Sequence, residues 1–298
     1  MIKRTLYFGN PARLSKKDSQ LHFDPVDGGP ARTVPIEDIG IVVLDHPQLN
    51  LSQSLLSSLL ENNAAVVCTD QRHMPAGMFI NFQGHSELGE RHAWQIEASE
   101  PLKKNLWAQT VEFKIRNQSR LLKEYGQSWE ELVNIAKQVK SGDPDNREGQ
   151  AASFYWRALF DPELGFKRSR YGDAPNNLLN YGYAVLRAVI ARSLVGSGLW
   201  PAIGIHHRNK YNAFALADDV MEPYRPFVDR LVCRIMDEEA DYSELTPSIK
   251  RKLLEVPVLD VETEGEKSPL MVASQRTSAS LARCFEGSSR KLSYPTLD

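Results

Sequence analysis

Residues 203–226 read Ile-Gly-Ile-His-His-Arg-Asn-Lys-Tyr-Asn-Ala-Phe-Ala-Leu-Ala-Asp-Asp-Val-Met-Glu-Pro-Tyr-Arg-Pro, so a histidine pair and basic residues directly precede an acidic run. The run after the basic residues predicts a helix, on which Asp218 and Asp219 lie four and three residues before Glu222 and share its face. Carboxylates one turn apart repel each other unless a positive group lies between them. A divalent cation or Arg225 could fill that position, and a solvated acidic face is the alternative.

A second informative stretch, 147–156, reads Arg-Glu-Gly-Gln-Ala-Ala-Ser-Phe-Tyr-Trp. Together the two stretches resemble the CRISPR-associated integrase family, the catalytic subunit of the spacer-acquisition machinery. The shared pattern is a Glu-Gly-x-Ala-Ala helix start, then Gly-x-x-His, then Asp-x-Met-Glu-Pro-Tyr-Arg-Pro. The strand-rich opening at 4–8 and the helical stretch at 280–284 are also similar to family members, particularly those from systems with a single large effector nuclease.

The resemblance implies a metal site built from Glu148, His207 and Glu222, which are also the expected catalytic residues. In the family pattern one ligand Glu begins a helix, and a His lies fifteen residues before the second Glu. Three side chains are auxiliary candidates, in this order: Asp219, Asp218 and His206. A structural alternative exists for Glu148, because with Asp145 as N-cap it would occupy position N3 and could complete a capping-box-like arrangement.

The chemistry of DNA joining explains these residue types. A 3'-hydroxyl attacks a phosphodiester while negative charge grows on the phosphate oxygens. A divalent ion stabilises that charge and can lower the pKa of the attacking hydroxyl. Because magnesium prefers oxygen ligands and imidazole suits manganese, the set indicates Mg²⁺ or Mn²⁺. The sequence contains neither a nucleotide-binding Gly-rich loop nor a Gly-x-Ser-x-Gly elbow, which excludes the ATPase and serine-hydrolase classes.

Cations alternate with aromatic residues in the segment 166–171, Phe-Lys-Arg-Ser-Arg-Tyr. Arg and Lys bind phosphates and Tyr can stack on an unpaired base, so the segment predicts DNA contact near the site. The DNA-binding candidates are Lys167, Arg168, Arg170, Tyr171 and Arg225. An ordinary basic loop is the alternative for the segment, and Arg225 could instead orient Glu222.

Composition and charge limit the general class of the protein. The 298 residues are 42% hydrophobic and 25% charged, which suits two globular domains. The formal net charge of -2 hides a net of +4 over 161–212 and of -7 over 213–264, a combination that suits an enzyme holding both phosphates and a cation. Apolar runs are too short to span a membrane, and the start lacks an apolar signal core. We therefore expect a cytoplasmic protein, and the family resemblance implies that it is prokaryotic.

The three cysteines, Cys68, Cys233 and Cys284, are far apart and suggest neither a disulfide framework nor a structural zinc site. They are more often small buried hydrophobes.

The chain changes character near residues 83–98, from short apolar segments separated by turns to helical periodicity. The expected strands lie at 5–8, 21–23, 33–36, 41–44, 65–68 and 77–79. The expected helices lie at 52–61, 102–122, 128–140, 146–160, 176–196, 213–239, 246–254 and 269–286. Polar loops are expected at 142–145 and 262–266.

These elements predict an α+β fold, with an N-terminal β-sandwich-like domain followed by an all-α catalytic domain. The expected units are a strand-rich dimerisation domain at 1–85, a linker at 86–98 and the catalytic domain at 99–298.

The resemblance also implies partners. It implies a homodimer that joins a dimer of a small ferredoxin-like companion subunit, captures double-stranded DNA fragments and inserts them into CRISPR array DNA. The effector nuclease of a type II system and further adaptation proteins are additional expected partners. Two alternatives stay open on the residues alone: a metal-dependent DNA-repair nuclease that uses water as nucleophile, and a non-catalytic DNA-binding scaffold.

Overall fold

The computed structural model describes residues 3–71, 73–81, 83, 85–170 and 172–297. Its N-terminal part consists of two four-stranded sheets and one helix. The first sheet has the order β1 (Arg4–Phe8), β5 (Ile39–Leu44), β7 (Ala65–Thr69) and β8 (Pro75–Phe79), with β1, β5 and β7 parallel and β8 antiparallel. The second has the order β4 (Arg32–Pro35), β3 (Gln20–Pro25), β2 (Ala12–Lys17) and β6 (Leu49–Leu51).

All six predicted strands are present, and four further strands of the described residues were missed, two in this N-terminal part and two near the C-terminal end. The strand β2 carries only two apolar residues, Ala12 and Leu14, and β6 has only three residues, so neither gives a clear alternating pattern. Both lie in the second sheet, where β2 pairs with β3 antiparallel and with β6 parallel.

The helix α1 (Gln53–Glu61) begins where the sequence predicted, because the Ser52 side chain caps it by accepting a 3.3 Å hydrogen bond from Leu55 N. Its buried leucines, Leu55 and Leu59, complete a small core shared by both sheets.

The first sheet is the middle layer of the molecule. Alternate residues of a strand point to opposite faces. On β5, Val42 contributes to the core with the second sheet and α1, whereas Ile41 and Val43 belong to the large core formed by the helices. A buried ion pair crosses the same boundary, since Lys250 Nζ lies 2.7 Å from Asp45 Oδ2.

The remainder of the chain is mainly helical and confirms the predicted fold class. Its helices are α2 (Leu88–Glu97), α3 (Glu100–Glu124), α4 (Glu130–Ala136), α5 (Arg147–Leu159), α6 (Asn176–Gly196), α7 (Ala215–Met221), α8 (Arg225–Glu238), α9 (Pro247–Leu253) and α10 (Leu270–Glu286). Helix α2 lies within the stretch that was expected to be a linker.

Two local predictions were wrong. The single helix expected at 213–239 is broken by a 3-10 turn, Glu222–Tyr224, because Pro223 and Pro226 cannot donate the backbone hydrogen bonds of a continuous helix. The polar loop expected at 262–266 is the turn of a hairpin between β9 (Asp260–Thr263) and β10 (Glu266–Pro269).

Candidate active site

The first candidate ligand, Glu148, lies in the first turn of α5. Asn146 is the N-cap and accepts a hydrogen bond from Gly149 N at 3.2 Å. The carboxylate of Asp143 accepts from the backbone N–H groups of Arg147 and Glu148, at 2.8 and 3.0 Å. With the helix start capped in this way, the Glu148 side chain is free to point towards α3.

The capping-box alternative for Glu148 is therefore wrong. It required Asp145 as N-cap, but the carboxylate of Asp145 pairs with Lys140 Nζ at 2.9 Å. Asn146 and Asp143 cap the helix start, so the Glu148 carboxylate is not needed as a cap.

The second candidate, His207, lies on a loop that is fastened to α7 by one carboxylate. Asp219 is fully buried, and its Oδ2 accepts from the backbone N–H groups of Ile205 and His206 at 2.7 and 2.9 Å. Its Oδ1 lies 2.5 Å from His207 Nδ1. Because a carboxylate only accepts, Nδ1 carries a proton, so in the neutral form of the ring Nε2 is the nitrogen that keeps its lone pair.

Gly204 allows this loop to come close to α7. A Cβ atom at that position would lie 2.5 Å from His207 O and 2.8 Å from Asp219 Oδ2. Any larger residue would therefore displace the carboxylate or the histidine backbone.

The third candidate, Glu222, lies in the turn between α7 and α8 and is only 5% exposed. Arg225 Nε donates to its Oε1 at 2.8 Å. The guanidinium of Arg225 also lies 4.6 Å from the centre of the Tyr183 ring, which fixes it against α6. The structure therefore places Arg225 on Glu222, as the orienting alternative expected.

The two candidate glutamates meet at Lys114, in the middle of α3. Lys114 Nζ lies 2.6 Å from Glu148 Oε1 and 2.6 Å from Glu222 Oε2. The first contact is a hydrogen bond, while the second is an ion pair without hydrogen-bond alignment, so the buried Glu222 Oε2 has no hydrogen-bond donor among the described residues. The position between the two carboxylates is thus held by a cation, as their mutual repulsion requires.

The charges of this cluster reinforce one another. Burial alone would raise the pKa of Glu222, but Arg225 and Lys114 outweigh it and hold that pKa below its ordinary value. Burial likewise disfavours the Lys114 ammonium, yet Glu222 and Glu148 raise its pKa above the ordinary value. The hydrogen bond to Asp219 raises the pKa of His207. The low pKa of Glu222 and the high pKa of Lys114 both favour the charged forms of this ion pair.

Behind the site lies a buried aromatic and acidic network. The Asp229 carboxylate, on α8, accepts hydrogen bonds from the hydroxyls of Tyr155, on α5, and Tyr183, on α6. Its burial, partly offset by these bonds, raises the pKa of Asp229 to about 6. The network connects the three helices that carry or support Glu148 and Glu222.

The auxiliary candidates have other partners. Asp218 accepts from Arg187 Nε at 2.6 Å and from Asn212 Nδ2 at 2.8 Å. The His206 ring stacks on Trp107, with centroids 4.1 Å apart, and its burial lowers its pKa. Asp219, as described above, uses both oxygens to hold the histidine loop.

The predicted DNA-binding segment leads into α6. Lys167 and Arg170 are exposed, whereas the Arg168 guanidinium donates to Asn176 Oδ1 at 2.9 Å and to Asn180 Oδ1 at 2.6 Å. Arg168 also lies 5.3 Å from the centre of the Tyr183 ring. Tyr171 falls outside the described residues. Arg168 therefore has an intramolecular role whether or not the segment touches DNA.

Among the described residues, no three His, Cys, Asp or Glu side chains converge closely enough to hold a metal ion, and Lys114 stands between the two glutamates. The donor chemistry nevertheless fits. Glu222 Oε2 is buried without a donor, and His207 has the carboxylate-bound Nδ1 typical of metal-ligating histidines.

The sequence reasoning missed two residues of the site. Lys114 falls on the apolar stripe of α3, next to Val111 and Ile115, and a charged residue on such a stripe was the available signal. One turn further on, Asn117 Nδ2 donates to Pro223 O at 2.8 Å and so supports the turn that carries Glu222. No spacing rule could connect α3 with that turn.

Comparisons with known proteins show the family of this chain. The family model described as "CRISPR associated protein Cas1" matches residues 6–245. A CRISPR-associated endonuclease Cas1 from Neisseria meningitidis serogroup C (strain 8013) is 35% identical over 300 residues, covering 100% of this chain and 97% of that protein.

Solved structures share the fold. A casposase bound to integration product has a TM-score of 0.80 at 20% identity, covering 98% of this chain and 92% of that one. A chain of a Cas6-RT-Cas1–Cas2 complex has a TM-score of 0.77 at 22% identity, covering 99% of this chain and 36% of that one.

The family match places this chain among the CRISPR-associated proteins, the class that the sequence predicted. The chain belongs to the Cas1 family. Within the described ranges, no helix is both long enough and apolar enough to cross a membrane.

Proposed function

We propose that this chain is a divalent-metal-dependent DNA integrase, with Glu148, His207 and Glu222 as its metal ligands. The observation that carries the proposal is the pair of glutamates, brought from α5 and from the turn before α8 to the same cation, 2.6 Å from each. Two carboxylates brought together from distant parts of a chain need a positive charge between them, and a divalent ion can supply it.

In the reaction, the 3'-hydroxyl of a captured DNA fragment attacks a phosphodiester of the array. The new O–P bond forms as the bond to the leaving 3'-oxygen breaks, and the proton of the attacking hydroxyl goes to a base or to water. The bound ion would stabilise the charge that grows on the phosphate oxygens. Arg225 keeps Glu222 oriented through the 2.8 Å bond to Oε1, and Asp219 keeps His207 Nε2 available.

The test is a joining assay between a short duplex with free 3'-hydroxyls and a supercoiled plasmid. Glu148→Gln, His207→Ala and Glu222→Gln should each abolish joining while duplex binding and the folded state persist, because ligands act mainly on the transition state. Glu112→Gln is the matched control, since Glu112 pairs on the surface of α3 with Arg116 and should keep full activity. A ligand variant that joins DNA like the wild type would remove that residue from the site.

The same assay separates the alternatives. A repair nuclease with these ligands would cut DNA but form no joined product. A non-catalytic scaffold would bind DNA and do neither, with or without Glu148. Integration is favoured over both because the chain shares its fold with a casposase bound to integration product and belongs to the Cas1 family.

The metal is Mg²⁺ or Mn²⁺ in this proposal. Two carboxylates suit either ion, and the imidazole adds preference for manganese. Joining measured with each ion in turn, after removal of all divalent ions, would rank them. Activity that survives a chelator would contradict the metal dependence.

Partners follow from the family membership. One solved relative is part of a complex that contains Cas2. We therefore expect this chain to act in the cytoplasm with a small ferredoxin-like companion dimer, on double-stranded fragments and array DNA, in contact with the effector nuclease of a type II system and further adaptation proteins. Size-exclusion chromatography of the chain mixed with its companion and a duplex would test the assembly.

The N-terminal region, 1–85, is proposed as the dimerisation domain, followed by a connecting stretch at 86–98 and the catalytic domain at 99–298. Val26 and Phe79 are 63% and 47% exposed, which makes them available for a partner surface. Val26→Asp and Phe79→Asp should shift light scattering of the full chain towards the monomer. The matched control is Ile96→Asp on α2, an exposed apolar residue outside the region, which should leave the dimer intact.

A further inference from the structure

We propose that Lys114 is the resident counter-charge of the metal site and is exchanged for the divalent cation when that cation binds. This inference rests on the proposed function, because it assumes that Glu148 and Glu222 are the carboxylate ligands. It adds a residue that competes with the ion, and it makes metal loading a replacement of one cation by another.

The first step of the argument is position. Lys114 Nζ lies 2.6 Å from one oxygen of each glutamate, and its side chain is 11% exposed. A divalent ion held by Glu148 and Glu222 would need the carboxylate oxygens that Lys114 now contacts. The ammonium and the ion cannot both stand there, since like charges in a buried site repel strongly.

The second step is which cation gives way. Arg225 also pairs with Glu222, but its guanidinium is held in place by the 2.8 Å bond to Oε1 and by the Tyr183 ring. Lys114 ends in a compact ammonium on a flexible four-carbon chain, and its contact with Glu222 Oε2 lacks hydrogen-bond alignment. Lysine is therefore the cation that leaves, and Arg225 stays to orient the glutamate.

The third step is why the protein needs this lysine. Glu148 and Glu222 come from separate elements and would repel each other without a positive charge between them. The ammonium keeps the site assembled before metal arrives. Its cost is competition, so the wild-type chain should bind metal more weakly than a chain with a neutral residue of similar size at position 114.

The experiment measures Mn²⁺ binding to the full-length protein by electron paramagnetic resonance of free Mn²⁺, without DNA. Lys114→Met should bind Mn²⁺ at least about fivefold more tightly than the wild type, the lower end of usual coupling between two sites. Its melting temperature should be lower than that of the wild type without metal and should rise more when Mn²⁺ is added. Lys104→Met is the matched control on the same helix, where the exposed lysine lies away from the glutamates, and should change neither quantity.

Equal or weaker Mn²⁺ binding by Lys114→Met would overturn the exchange. Should that variant not fold, Lys114→Arg decides the matter, because a guanidinium keeps the charge and grips two carboxylates more firmly. Its Mn²⁺ affinity should fall below that of the wild type, and an equal or higher affinity would overturn the proposal.

A further variant, His207→Ala, separates this inference from the proposed function. Suppose that the wild type and Lys114→Met bind Mn²⁺ equally, and that adding His207→Ala abolishes Mn²⁺ binding in both backgrounds. The metal site then stands and only the exchange fails. If no Mn²⁺ binding depends on His207 in either background, the proposed metal site itself fails.

Discussion

Asp219 Oδ1 lies 2.5 Å from His207 Nδ1, and the other oxygen of the same carboxylate holds the backbone of the loop that carries this histidine. One buried side chain on α7 thus fixes both the path of the loop and the proton position of the ring. His207 Nε2 is left available to a ligand, and the side chain of His207 is 45% exposed.

Asp219→Asn should therefore weaken metal binding by about 10- to 100-fold, the usual effect of removing the partner that orients a histidine ligand. The asparagine amide has only one acceptor oxygen, whereas the backbone N–H groups of the loop and the His207 ring use both oxygens of the Asp219 carboxylate. Mn²⁺ affinity measured by electron paramagnetic resonance checks this. Asp218→Asn is the control, because Asp218 pairs with Arg187 and Asn212. The Mn²⁺ affinity of this variant should match that of the wild type.

Gly204→Ala should destabilise the protein, because the new Cβ would lie 2.5 Å from His207 O and 2.8 Å from Asp219 Oδ2. Overpacking of this kind costs about 1–3 kcal/mol. Urea unfolding measures the loss. Gly89→Ala is the comparison within α2, where a Cβ meets nothing within 4 Å, and it should be neutral or raise the unfolding free energy by up to about 1 kcal/mol. Equal effects at the two glycines would argue against the close approach.

Lys250→Ala should cost about 3–5 kcal/mol of unfolding free energy, because it removes the ammonium that pairs with the buried Asp45 carboxylate. Denaturant unfolding of the full chain is the measurement. Lys252→Ala, on the same helix, removes surface ion pairs with Glu238 and Glu239 and should change stability by at most about 1 kcal/mol. Similar losses for both lysines would mean that the buried ion pair between Lys250 and Asp45 adds little to stability beyond a surface ion pair.

Asp229 should make stability depend on pH. Its pKa is raised from 3.8 to about 6, so the folded state binds a proton more tightly than the unfolded state. Its contribution to stability is therefore full below about pH 4 and is lost as pH rises to about 6, by about 3 kcal/mol in all.

The check is urea unfolding of the wild type and of Asp229→Asn from about pH 4 to about pH 7. Stability of the wild type relative to the variant should fall over this interval, since the amide does not titrate. A constant difference would show that Asp229 has an ordinary pKa.

Lys167→Ala and Arg170→Ala should each weaken duplex binding alike for all sequences and make the slope of log affinity against log salt shallower by roughly 0.7–0.9. Catalysis at saturating DNA should persist. Arg168→Ala should behave differently and lower thermal stability, because its guanidinium binds Asn176 and Asn180. An unchanged salt slope for the first two variants would leave the segment as a solvated basic loop.

Much of the architecture could be predicted from sequence because it depends on local patterns. Helix periodicity located α3, α5, α6 and α10 to within a few residues. The strands β2 and β6 were missed because they are held by pairing with neighbours and carry few apolar residues. The break at Glu222 was missed although Pro223 and Pro226 offered a local reason for it.

The sequence by itself determined the fold class, the family and the residue types of the candidate site, since motif spacing along one chain carries that information. Only the tertiary structure decided which cation stands between the glutamates. Lys114 is 34 residues from Glu148 along the chain, and still further from Glu222. Their contact depends on how α3, α5 and the turn before α8 pack together. Such packing depends on the shapes of many buried side chains at once, and no local pattern in the sequence encodes it.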